Sequence, residues 1–382
     1  MMILARKYQT AREHERGFVL VVMAAATIAM IASLGLAVDI GRMFITKNET
    51  QAFCDSAALA AALALDGTTS GIANARDAVS ASKNSWNMAT TQVSNPAVTF
   101  ATAAAGPWVS SPNPATGYLY VRVSANVPMQ LYFLPVVGPS LIQNVASSAT
   151  AGQFPITSFS TGLAPYTAVS TDPVGPNFGL VTGNAYDIQW PQFNGSRAGC
   201  SESNPDKCFN SAACSGETQA SKAAVVANWG ANTSGYWGST SNNMIQKQIL
   251  DLIQLQAVAV GTNIFPVLSN GQKQSEAGYL DERASQDING TDNDVAAYLS
   301  NPHNGRRLIP APIVNPVDPT HTNVIGYGLF LLYTNGASSN YYTRTTNGND
   351  PFCAIYAGPY NVGSTGIGTG GATGASWVKL VL

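Results

Sequence analysis

Residues 17–38, GFVLVVMAAATIAMIASLGLAV, hold no charged side chain and follow a basic N-terminal stub. As a helix rising about 1.5 Å per residue they reach roughly 33 Å, enough to cross a hydrocarbon core of about 30 Å. Arg6, Lys7, Arg12 and Arg16 crowd the N-terminal side. Basic residues beside a span stay preferentially in the cytoplasm, so the stub, 1–16, is expected inside and everything beyond Val38 outside. Gly35-Leu36-Ala37 also offers a small-x-small cleavage site. Secretory apolar regions run about 7 to 15 residues; this one is longer and continues into helix-forming sequence, so a retained single-pass anchor is the preferred reading.

Working outward, the helix is expected to outlast the membrane. Between Asp39 and Leu65 there is no Pro, Gly41 is the one interior Gly, and DSAALAAALAL (55–65) is dense in strong helix formers. Asp66-Gly67 reads as its stop, with Gly67 free to turn left-handed. A second helix is predicted from Ile72 to about Met88, with Ile72, Ala75, Val79 and Trp86 on one face. Alternation then predicts strands over 97–101, 118–127 and 147–152, with MQLYFLPVV (129–137) a short helix or turn between them.

From Phe154 onward Pro and Gly punctuate short apolar runs, the pattern of a β-rich domain. Strands are predicted over 308–314, 323–334, 351–357 and 376–382, interrupted by a helix from Asn243 to Gln256 with a stripe of Ile245, Ile249, Leu252 and Ile253. Val324 to Tyr333 is too short for a second helical span. The fold class is thus α+β: a transmembrane helix (17–38), an α+β domain (39–153) and a β-rich extracytoplasmic domain (154–382).

Composition narrows the chemistry. Among 382 residues, 19 basic and 21 acidic side chains leave a net charge of −2, which argues against nucleic acid as a partner. Three His (His14, His303, His321) sit without a motif pairing them to a nucleophile or metal, and G-x-S-x-G, H-E-x-x-H and P-loop patterns are missing. We therefore expect no enzyme, no cofactor and no metal. The acidic groups Glu276, Asp281, Glu282 and Asp287, and Asp292 with Asp294, read as solvated helix faces and caps rather than a calcium site. Cys200, Cys208, Cys214 and Cys353 fall on the predicted outer side, where disulfides form, with three pairings open. Cys54, on the first helix, reads as an idle buried thiol ahead of an intermolecular bridge. Trp190, Phe193, Trp229, Tyr236 and Trp237 lie among Gly, Asn and Ser; core burial is the default reading, a contact surface or carbohydrate platform the other.

Two patterns mark the first helix itself. Ala25, Ala29, Ser33, Ala37 and Gly41 recur every fourth residue, forming either a seam where helix backbones approach closely or the ordinary small-residue content of a span. Asp39 and Arg42, three apart, could pair across one turn; marking the lipid edge is the favoured reading.

Glu15 to Leu65 resembles the N-terminal segment of the TadE/TadG-like proteins of the bacterial Tad (Flp) pilus-assembly system. The family shows an E-R-G opening, an apolar span, a G-L-A-V-D-x-G-R junction and a D-x-A-A-L-A-A-A run. Gly35, Leu36, Ala37, Val38, Asp39, Gly41 and Arg42 match the junction, and Asp55, Ala57, Ala58, Leu59, Ala60, Ala61 and Ala62 match the run. Phe53-Cys54 departs from it, since small residues are more usual there. A weaker likeness to the family's β region covers Tyr120 to Phe133 and Ser147 to Ala151, and the C-terminal half resembles it only vaguely. The resemblance implies a pilin-like α+β domain and an inner-membrane, pseudopilin-like component of a pilus or secretion machine, partnered by other Tad or pseudopilin subunits, membrane lipid and copies of itself. Prepilin peptidases generally want Glu five residues after the cut Gly; after Gly17 that residue is Val22, so such cleavage is not expected. Longer family members carry a von Willebrand type A domain; Asp66-Gly67-Thr68-Thr69-Ser70 mimics its metal loop, but follows a helix instead of a strand. The alternative function is a membrane-anchored adhesin or glycan-binding surface protein.

Overall fold

A computed structural model describes residues 2–82, 85–136, 140–189, 242–262, 276–315, 323–333, 352–362 and 373–381. The helices are α1 (Met2–Leu63), α2 (Thr69–Ala81), α3 (Asn242–Leu250), α4 (Glu276–Ser285) and α5 (Val295–Ser300). The strands are β1 (Ser85–Trp86), β2 (Thr91–Gln92), β3 (Ala97–Ala101), β4 (Tyr120–Gln130), β5 (Ile142–Pro155), β6 (Ser158–Phe159), β7 (Ala168–Val169), β8 (Ala185–Gln189), β9 (Val258–Ala259), β10 (Leu308–Val314), β11 (Val324–Leu332), β12 (Phe352–Gly358), β13 (Tyr360–Val362) and β14 (Ala375–Val381). Contacts divide the chain into two units, one holding 1–58, 79–99 and 122–150, the other 59–78, 100–121 and 151–382.

In the first unit, α1 is unbroken through the apolar stretch and beyond it. Several of its hydroxyls are absorbed by its own carbonyls: Thr27 donates to Met23 O, Ser33 to Met30 O and Thr50 to Thr46 O. Such back-bonding removes the penalty a bare hydroxyl carries on a helix face. The strands β5, β4 and β3 are neighbours in that order. Along β4 the side chains alternate, with Val123, Ala125, Val127 and Met129 buried, as a sheet with one packed face requires. Trp86, Val127, Met129, Leu131 and Val145 form the core, with Met43 of α1 and Leu134 against it.

The predicted second helix ends earlier than periodicity suggested. α2 stops at Ala81, and Trp86 lies on β1, paired with Thr91 of β2. Between them Asn87, Met88 and Ala89 are all left-handed, at φ near 57°, 58° and 62°. Non-glycine residues hold that conformation only where their surroundings enforce it, and two side chains of α1 do so here: Arg42 donates to Asn87 Oδ1 and Glu49 accepts the Met88 N–H.

In the second unit α1 ends one turn before Gly67, whose φ is +80°. The carbonyls left open at its terminus are taken up by distant side chains. Gln153 Nε2 donates to Ala62 O and Leu65 O, and Asn361 Nδ2 donates to Leu63 O. Asp66 accepts both the backbone and hydroxyl protons of Thr68, whose oxygen then accepts the Gly71 N–H at the start of α2. Ile72, Ala75 and Val79 are buried, as their spacing predicted.

A five-stranded sheet runs β7-β10-β11-β12-β8. β10 and β11 pair antiparallel from Leu308↔Leu331 to Pro312↔Tyr327, and β7 joins β10 in parallel at Ile313↔Ala168. Every residue of β10 is buried, so the sheet is covered on both faces. One face carries Ile309, Ala311, Ile313 and Phe330 against Ile245 and Ile249 of α3 and Leu280 and Ala284 of α4; the other carries Leu308, Leu329 and Leu331 against Val295 and Tyr298 of α5. This sheet, lined by helices, is a mixed arrangement within the expected β-rich class, while β13 and β14 belong to the sheet of β5. α3 ends at Leu250, six residues short of expectation, because Arg283 and Arg306 both donate to Leu250 O and Leu252 turns left-handed.

A buried polar cluster closes one face. Arg307, fully buried, donates to Leu332 O, Asn289 O and Asn293 Oδ1. Asp287 accepts from the Tyr298 hydroxyl at 2.6 Å and from the Arg307 and Asn289 N–H groups. Burial opposes the Asp287 charge, yet these donors outweigh it and hold the carboxyl below its ordinary value of 3.8. A depressed pKa means the unfolded chain binds more protons, so the stabilisation is complete above the ordinary carboxyl pKa and is lost as pH falls through the lower folded value. Asp287→Ala should cost about 2 to 4 kcal/mol near neutrality, and the gap in thermal midpoint between wild type and variant, measured on the full chain in detergent, should narrow on acidification below that carboxyl range.

Candidate functional site at the end of the apolar helix

Along α1 every residue from Phe18 to Leu34 is exposed or, at Ala32, half-buried; the first buried position is Gly35. From there Gly35, Asp39, Thr46, Thr50, Phe53, Cys54 and Ala57 are buried, with Arg42 half-buried in the same stripe. These spacings of three, four and seven residues define one helix face. Much of that face is polar, because it meets backbone as well as side chains.

Asp39 is the centre of this stripe. Its Oδ1 accepts the Tyr132 N–H at 3.1 Å, and its Oδ2 accepts those of Phe133 at 2.9 Å and Leu134 at 2.7 Å. The three donors belong to the β4–β5 connection, where a short 3-10 turn (Leu134–Val136) begins. The carboxylate therefore caps that turn as an N-cap side chain caps a helix. Arg42 works one turn along, donating to Gln130 O at 3.0 Å with its guanidinium 4.3 Å from the Tyr132 ring centroid. Asp39, read from spacing as half of a pair or a lipid-edge marker, spends its hydrogen bonds on the hairpin, and Arg42 divides its own between the hairpin and Asn87.

Gly35 permits the approach. A Cβ built there would lie 2.2 Å from Phe133 Cβ, so any larger residue drives the turn off the helix. Gly41, also in the junction motif, faces open space. Farther along, Lys47 donates to Ala146 O and Gln51 to both Ser148 O and the Asp55 carboxylate. Asp55, the first residue of the alanine-rich run, is thus held by its own helix.

Cys54 is fully buried and free, its sulfur 3.5 Å from Ser147 O. Ala25, Ala29, Ser33, Ala37 and Gly41 all lie exposed on α1. Cys200, Cys208 and Cys214 lie outside the described residues, as do Trp190, Phe193, Trp229, Tyr236, Trp237 and His321, while Cys353 is described only as backbone within β12. Sequence reasoning missed the Asp39 partners, although the apolar run Tyr132–Leu134 was a signal: a turn that oily needs something to cover it.

Truncating Asp39 to Ala strands three N–H groups and should cost about 2 kcal/mol of local stability, seen as roughly 30-fold faster chymotryptic cleavage after Tyr132 or Phe133. Gly35→Ala should destabilise the same turn by about 1 to 3 kcal/mol. Adding Phe133→Gly should recover most of that loss in a double-mutant cycle. A polar maleimide should leave Cys54 unmodified until the chain is denatured.

No curated protein and no solved structure matches the chain. Residues 17–64, the stretch holding the apolar helix, Asp39, Arg42 and the alanine-rich run, match the Tad family model, described as "Putative Flp pilus-assembly TadE/G-like", and it is this pilus-assembly family that the chain resembles through its N-terminal region.

Proposed function

We propose that the chain is a membrane-anchored structural or assembly component of a Tad (Flp) type pilus or secretion system, acting through protein–protein contacts. In this reading residues 17–38 cross the bacterial inner membrane once with the N-terminus cytoplasmic, and the pilin-like α+β region and the domain beyond residue 154 stand in the periplasm or outside the cell. The single observation that carries it is the family match over residues 17–64, which coincides with a helix long and apolar enough to cross a membrane. The matching family is a pilus-assembly family rather than an enzyme family, in keeping with a role by binding.

The physics supports contact between helices. In lipid there is no hydrophobic drive between apolar helices, so association depends on close backbone approach at small residues. The exposed face of Ala25, Ala29, Ser33, Ala37 and Gly41 supplies that shape to another Tad or pseudopilin subunit or to a second copy of the chain. Nearby, Leu20, Ile28 and Leu34 offer large side chains to lipid.

Cells lacking the chain should lose their pili, scored by electron microscopy, and regain them on complementation. Intact pili with lost surface attachment would instead support the membrane-anchored adhesin. Ala29→Leu with Ser33→Leu should leave the chain in the membrane but reduce recovery of partner subunits by cross-linking and mass spectrometry.

A further inference from the structure

We infer that the two described arms of the β4–β5 tip, Tyr132 to Leu134 and Leu141 to Ile142, are a second membrane contact, seated in the outer lipid interface beside the helix; this rests on the spanning reading of residues 17–38. Four observations converge on it. First, Phe133 lies against Gly35, three residues inside the apolar stretch and so about 4.5 Å below its outer end. A side chain held at that level of the helix shares its depth in the bilayer.

Second, the tip is oily where it is open. Tyr132, Phe133, Leu141 and Ile142 are all exposed, the last two at 63% and 57%. An aromatic pair at this level is the composition that favours the headgroup boundary. Third, the N–H groups leading into the tip from β4 already have acceptors within the protein. Irregular backbone enters lipid only when its polar groups are satisfied from within the protein. Here Asp39 takes the N–H groups of Tyr132, Phe133 and Leu134, Arg42 donates to Gln130 O, and the Leu131 N–H donates to Leu141 O. A buried carboxylate at the exit of a span is costly, and this donor set explains why it stands there.

Fourth, α1 and the start of β5 enclose a groove of about 350 Å³, lined by Ile40, Met43, Phe44 and Val145 with Asn144, Ala146 and Lys47. Its apolar walls prolong the oily surface of α1 just past the end of the span. The occupant we assign to the tip is lipid, because its depth is set by an element that already crosses the bilayer.

Full-length protein carrying p-benzoylphenylalanine singly at Leu20, Leu141, Ile142 or Met88 would be reconstituted into phosphatidylethanolamine–phosphatidylglycerol vesicles, irradiated and analysed by mass spectrometry. Met88 is exposed beside Glu49, two to three helical turns farther along, and serves as the aqueous control. Expected are lipid adducts at Leu20, Leu141 and Ile142, and their loss at Met88. Adducts at Leu20 but at neither hairpin position overturn the tip contact while leaving the span intact, as do hairpin adducts to a second copy of the chain in place of lipid. Equal yields at Met88 and Leu141 overturn it too. Failure at Leu20 overturns the spanning reading and the tip contact with it.

Discussion

A carboxylate withdrawn from water is tolerated only when donors replace its hydration, and a turn whose N–H groups face an oily surface is tolerated only when an acceptor reaches them. Asp39 and the Tyr132–Leu134 backbone solve these two problems for each other. The first unit depends on that exchange. It sets where the β4–β5 connection meets α1, and with it the register in which Lys47 and Gln51 find the carbonyls of Ala146 and Ser148. Arg42 and Glu49 then reach the other way and hold three left-handed residues after β1.

One helix therefore carries two kinds of surface in succession. From Phe18 to Leu34 its side chains are exposed, with Ala32 half-buried. From Gly35 a polar stripe, narrow and regularly spaced, binds main chain in the manner of a sheet edge. Past Phe53 the stripe turns to Cys and Ala, all buried, where close packing needs small volume more than hydrogen bonds. The alanine-rich run is thus a packing surface, and its helix propensity is only half of its purpose. Phe53-Cys54, where the family usually has small residues, fits the same stripe as a filled position with an inert thiol.

The second unit shows a different economy. Its central strands are buried on both faces, so β10 and β11 read as apolar runs rather than alternating strands, and helices α3, α4 and α5 supply the cover. Two Arg side chains on one helix-terminal carbonyl and a buried Arg307 on Leu332 and Asn289 carbonyls do the work that regular ladders leave undone. His303, unassigned by any motif, lies tilted against Tyr298 with ring centroids 4.6 Å apart and belongs to this packing.

The long helix, its stop near Asp66-Gly67, half of the described strands (β3, β4, β5, β10, β11, β12 and β14) and the junction motif were legible in the sequence, because each rests on local rules: length of an apolar run, propensity summed over turns, period-2 alternation and a left-handed glycine. The end of α3 at Leu250 and the left-handed turn after Trp86 were not, because side chains remote in sequence hold them, Arg283 and Arg306 in one case, Arg42 and Glu49 in the other. Nor could spacing reveal what Asp39 does. An Asp three residues before an Arg suggests an ion pair, and only the fold brings residues 132–134 within hydrogen-bond reach of that carboxylate, some ninety positions away in the chain. The sequence by itself determined that an uncharged helix must find an apolar surrounding and where its polarity returns. Tertiary structure alone decided which backbone groups that returning polarity would satisfy, since hydrogen-bond partners depend on distance in space.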